Sequence, residues 1–123
     1  MAMLYVEKDL AQCTKVAFDK WDTNSAKLNH KYFYVANCRL SPRQYIAAIE
    51  KITGRKCTYT VLKTTGVRDR DIMFELYNHQ GMYGKQEIPD PNLLELGVKF
   101  STVEDFVRER LAPHLKLEVK NGN

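Results

Sequence analysis

Tyr77, His79 and Glu75 stand together in one short stretch, MFELYNHQGMYG (73–84), and each can carry a proton. An imidazole exchanges its proton near neutral pH. A carboxyl set among apolar neighbours is pushed toward its acid form and becomes a usable donor. With a phenol beside them, these groups form a donor–acceptor set suited to acid–base catalysis without a cofactor. Met73, Phe74, Met82 and Tyr83 in the same stretch are candidate walls for an apolar substrate, joined by Lys63 and by Trp21, the single tryptophan.

Each of these residues also has a plainer role. Phe74 and Leu76 fit a helix core, and Tyr77 and Tyr83 need hydroxyl partners if they are buried. His79 near a helix end is favoured there by the dipole. Glu75 fits a solvated helix face, Lys63 the exposed end of a strand, and Trp21 a core plug. Arg68, Asp69, Arg70 and Asp71 read as a solvated, self-paired run.

Other chemistries lack their signatures. The sequence holds no GxGxxG and no GxxxxGK[ST], so nucleotide phosphates have no cradle. It holds no HExxH and no GxSxG, and His30, His79 and His114 are scattered. Cys13, Cys38 and Cys57 are widely spaced, form no CxxC and make no metal pattern with the histidines. They read as reduced thiols. The expectation is therefore a site with neither cofactor nor metal.

The elements that must position the stretch follow from caps and periodicity. MLYV (3–6) reads as a short strand leading into a helix, EKDLAQCTKVAFDKW, with Leu10, Cys13, Val16 and Ala17 on one stripe. DTNSAKLNH reads as a loop and KYFYVANC (31–38) as a strand. Ser41 caps and Pro42 starts a helix that places Tyr45, Ile46, Ile49 and Ile52 on one side and stops at Gly54. KCTYTVL (56–62) alternates like a second strand. IMFELYNHQ reads as a helix with Asp69 or Asp71 in its first turn, ended by Gly81 and Gly84. Asp90, Pro91 and Gly97 bound a short helix. Ser101 and Glu104 have capping-box spacing before a helix whose inner face is Val103, Phe106, Val107, Arg110 and Leu111. HLKLEVKNGN reads as a weak final strand or a frayed tail. The fold class expected is α/β (α+β), with a small mixed sheet of about three to four strands and about five helices packed on it.

At 123 residues and 44% hydrophobic composition, the chain has the size and apolar content of one domain, residues 1–123. The formal net charge of +4 is spread among acids and forms no basic stripe, so nucleic acid is not an expected partner. No run approaches the ~20 apolar residues of a membrane span. Glu7, Lys8 and Asp9 interrupt the apolar start, unlike a signal peptide. The expected location is cytoplasmic.

FYVANCRLSPRQYIAAIEKITGRKCTYTVL, then MFELYNHQGMYG, then IPDPNLLELGVKFSTVEDFVRERL succeed one another. This succession resembles the C-terminal, substrate-binding half of NmrA-like proteins, relatives of short-chain dehydrogenases with atypical reductase activity or none. VEKDLAQCTKVAFD is similar to the segment just upstream, so the resemblance covers roughly residues 3–112. The family's Rossmann domain and its glycine-rich turn have no counterpart here, and its NADP site carries over to no residue. In the family, the helix equivalent to MFELYNHQGMYG closes a pocket against that domain. The resemblance thus implies a cofactor-free enzyme of specialised metabolism, acting on an aromatic or prenylated phenolic substrate. The reaction would be an intramolecular cyclisation, such as hydroxyl addition to an alkene, or an isomerisation. The alternative is a non-catalytic regulatory or ligand-binding module. Either reading needs a second wall for the pocket, so a homodimer is expected.

Overall fold

Helix dominates the computed structural model, which describes residues 1–119: 54% of them are helical and 3% are strand. The elements run β1 (Ala2–Met3), a π-helical turn (Val6–Leu10), α1 (Ala11–Asp19), α2 (Trp21–Leu28), β2 (Cys38–Arg39), α3 (Pro42–Thr53) and α4 (Arg68–Gln80). Then come α5 (Pro91–Glu95), α6 (Val103–Phe106), a second π-helical turn (Val107–Leu111) and α7 (Ala112–His114).

The expected sheet of three to four strands is not formed. Among the described residues the only ladder is β1 antiparallel to β2, with Ala2 opposite Arg39 and Met3 opposite Cys38. The reason lies in where the backbone donors go. In 31–38 the Tyr34 amide donates to the Asp90 carboxylate at 2.9 Å and the Ala36 amide to the Tyr34 carbonyl, so only the end of the segment reaches β1. In 56–62 the Cys57 amide donates to Glu50 Oε1 at 2.8 Å, and Tyr59, Val61 and Leu62 lie exposed. Residue alternation describes a strand's two faces, but a ladder also needs a neighbouring strand; among the described residues 56–62 has none, and 31–38 meets β1 only at its end, through Asn37 and Cys38. MLYV likewise does not extend to Val6, because the chain turns helical there.

Helix replaces the loop expected over DTNSAKLNH: α2 kinks at Asn24 and delivers Leu28 to the interior, 7% exposed. The tail HLKLEVKNGN falls partly outside the described residues. Within them His114 ends α7, and 117–119 form no ladder.

Cap signals were accurate for the middle helices. Ser41 Oγ accepts from the Gln44 amide while Gln44 Oε1 accepts from the Ser41 amide, Pro42 opens α3, and Gly54 closes it at φ 68°, a left-handed position open to glycine. Asp90 caps α5, with Pro91 at its start. At the last helix the cap shifts by one residue. Asp9 Oδ1 holds the Ser101 amide at 2.9 Å and Asn37 holds the Ser101 carbonyl. Thr102 is therefore the N-cap, and it exchanges bonds with Asp105 rather than Ser101 with Glu104. Arg110, expected inside, is exposed and pairs with Glu7.

The core forms around Cys13, Leu93 and Val98, with Val16, Phe33, Val35 and Phe100 packed against it. Val107 and Ala112 of the last helical segment are wholly buried, and Tyr5 meets Phe106 edge-on at 5.4 Å. Two buried aspartates pin this core. Asp9 accepts from the amides of Tyr5 and Ser101, and Asp90 from those of Tyr34 and Asn92.

Asp9→Ala strands two interior amides and should cost about 3 kcal/mol or more, since hydrogen bonds to charged groups contribute about 1.5–3 kcal/mol each. A denaturant midpoint unchanged within error would contradict this. Asp105→Ala should cost about 0.5–1.5 kcal/mol, since it removes the reciprocal bond from the Thr102 amide while leaving the Thr102 cap itself. Glu104→Ala loses only the exposed pair with Lys51, worth ~0.2–1 kcal/mol. Thermal melts of the two variants rank them, and the reverse order would move the cap back to Ser101.

Candidate functional site

The stretch from Gly54 to Pro89 has no buried residue. Within it α4 carries Ile72, Met73, Phe74, Leu76 and Tyr77, from 38% to 52% exposed. Helix geometry sets Ile72, Met73, Leu76 and Tyr77 along one side of the cylinder, with Phe74 and Glu75 off to its flanks. The helix exists for local reasons. Thr64 and Thr65 hydroxyls and the Thr65 amide all donate to Asp71, which fastens the preceding turn to the first turn of α4. Gly81 ends it at φ 73°.

The structure brings Glu75, Tyr77 and His79 onto one exposed helix, together with Met73 and Phe74. Met82 and Tyr83 follow in the turn beyond it, where Arg39 donates to the Met82 carbonyl at 3.2 Å and Tyr83 meets Tyr34 edge-on at 5.3 Å. Tyr83 takes a left-handed φ of 65°, so this anchor is held against a local conformational cost. Trp21 opens α2 at 48% exposure, and Lys63 lies on the exposed segment before α4. Among the described residues, no hydrogen bond or ring contact joins Trp21 or Lys63 to α4. The proton carriers of α4 face water, and among the described residues no apolar wall encloses them.

A concave site lies elsewhere, and sequence reasoning missed it. A cleft of about 620 Å³ opens between α3, the end of β2, α5 and residues 100–104. Leu40, Ala47, Ala48, Leu94, Phe100 and Val103 make it apolar, while Cys38, Lys51 and Glu104 bring functional groups to it. Burial, and then the Glu104 charge, push the Cys38 thiol up, which keeps it protonated and a poor nucleophile. Its Sγ donates to Asn37 Oδ1 at 3.4 Å. The only sequence signal for this cleft was the pair of small residues, Ala47 and Ala48, beside the isoleucine stripe of α3.

Among the described residues no three His, Cys, Asp or Glu side chains gather as a metal set, the three cysteines are free, and no helix is long and apolar enough to cross a membrane. Against known proteins, no family model, curated protein or solved structure matches this chain.

Asp71 tests what holds α4 in place. The Thr64 and Thr65 hydroxyls, and then the Thr65 amide, keep its carboxyl below the usual aspartate range. A pKa lower in the folded than in the unfolded state gives stability that is full above the unfolded value and is lost as pH falls through the folded one. Amide exchange at Thr65 and along the first turn of α4 should therefore accelerate on acidification below the ordinary aspartate pKa, beyond the intrinsic pH dependence. Asp71→Asn should give the faster exchange already at neutral pH. Equal protection in both proteins would remove Asp71 as the anchor.

Proposed function

We propose that the chain is a non-catalytic binding module that works as a homodimer, with the apolar side of α4 as its contact surface. The observation that carries this is the exposure of Ile72, Met73, Leu76 and Tyr77 on a helix with no buried residue. Apolar groups clustered on one exposed surface mark an interaction site. Acid–base catalysis by Glu75, Tyr77 and His79 would require those groups to be walled from water. Their exposure favours binding over the cyclase or isomerase reading. The resemblance to the substrate-binding half of NmrA-like proteins favours the same helix, since its equivalent there closes a pocket against a second domain.

A second copy suits the pattern. Two α4 helices crossing antiparallel about a two-fold axis near Phe74 and Glu75 set Ile72 against the partner's Tyr77 and Met73 against the partner's Leu76. Asp69 then lies level with the partner's Gln80, and the helix dipoles oppose favourably. Tyr59, Val61 and Leu62 in the 56–62 segment that precedes α4 are exposed as well, and add apolar area available to a partner toward the ~1,200–2,000 Å² in total that a stable interface buries.

Sedimentation at micromolar concentration should show a species of twice 14.3 kDa. Leu76→Glu and Met73→Glu should each convert it to the monomer without lowering the stability of the dilute chain, because both side chains are exposed there. A single species near 14.3 kDa at every concentration would overturn the homodimer.

A further inference from the structure

The cleft between α3 and residues 100–104 uses no residue of α4, and its chemistry stands apart from the dimer surface. We propose that it binds a neutral, largely apolar molecule of one to three fused rings that carries a hydroxyl group.

Size and walls set the first half of that description. The volume, about 620 Å³, lies within the range of small-molecule sites, and such sites are apolar with a few placed polar groups. Ala47 and Ala48 present methyl groups where longer side chains on α3 would fill the space. Leu40, Leu94 and Phe100 give a flat ligand apolar surface to cover.

The polar groups set the second half. Asn37 is already committed: its amide nitrogen donates to the Ser101 carbonyl at 2.8 Å and its oxygen accepts from Cys38. Gln44 Oε1 is held by the Ser41 amide. Glu104 keeps acceptor capacity, with Lys51 Nζ 3.6 Å from one carboxylate oxygen. A ligand hydroxyl can donate to Glu104 without disturbing that pair. An anionic head would meet the carboxylate and could use Lys51 only by breaking the pair. A cationic head would be set against Lys51. A neutral donor is the chemistry this edge accepts. The neighbouring thiol, kept protonated, leaves such a ligand bound and unmodified.

The test is titration of the whole chain with 2-naphthol, naphthalene and 2-naphthoate, followed by amide chemical shifts in a labelled sample. Saturable 2-naphthol binding should shift the amides of Cys38, Ala48, Leu94 and Glu104. 2-Naphthoate should bind about tenfold more weakly or worse. Glu104→Ala should weaken 2-naphthol about tenfold, the scale of a hydrogen bond to a charged group, and leave naphthalene unchanged. Ala47→Phe should block all three. Ala47 is exposed, so a melting curve can confirm that the variant folds, and the unmodified protein supplies the ligand comparison in any case. Shifts gathered on α4, equal affinity for 2-naphthoate, or 2-naphthol affinity unchanged in both variants would overturn the proposal.

Discussion

The carboxylate of Asp9 is 1% exposed and spans the molecule, accepting from Tyr5 four residues upstream and from Ser101 across 92 residues of chain. A buried carboxylate is costly unless its oxygens are used, and here backbone amides use both. The chain's first turn and the entry to its last helix are thereby fixed together. Tyr5 then packs on Phe106 and donates to Glu109, which Lys8 also engages at 2.5 Å; Lys8 first, and then the Tyr5 hydroxyl, hold the Glu109 carboxyl below its usual range against the opposing effect of burial. Asp90 does the same for the middle of the chain by joining Tyr34 to Asn92. With so little sheet, these carboxylates supply the long-range register that a ladder would otherwise provide. The cleft shares in this, since Asp9 holds the Ser101 amide and residues 100–104 form one of its walls.

How much of this was legible depends on the range of the interaction. Ser41 with Pro42 and Gly54, and Asp90 with Pro91, act within one turn of chain, and both helices stand where those residues place them. The last helix shows the limit. Ser101 and Glu104 have suitable spacing, but Ser101 is taken by Asp9, and that bond leaves no periodic trace. The strands expected over 31–38 and 56–62 failed for a related reason. Tyr59 and Val61 alternate correctly, yet whether a segment pairs is decided by what the rest of the chain brings beside it.

The two faces described here divide in the same way. The ring-rich stretch 73–84 was conspicuous as sequence, and its helix formed as expected, but periodicity reports a face and not what covers it. Only the fold shows that Met73, Leu76 and Tyr77 remain outside. The cleft was invisible beforehand because its walls come from four separate parts of the chain. α3 contributes to both the core and the cleft, through Ile52 and Ala48 on the inside and Ala47 and Lys51 at the edge. The chain thus packs α3 into its interior and leaves the apolar side of α4 exposed.

The central claim is that the apolar side of α4 is covered by a second copy. Hydrogen exchange across residues 68–80, measured from nanomolar to high-micromolar protein, tests it most directly. On the isolated chain these amides belong to an exposed helix and should exchange readily. The account predicts protection that rises with concentration in α4 and in the flanking 56–62 segment, while the amides of α3 stay constant. Exchange in α4 that is independent of concentration would contradict it.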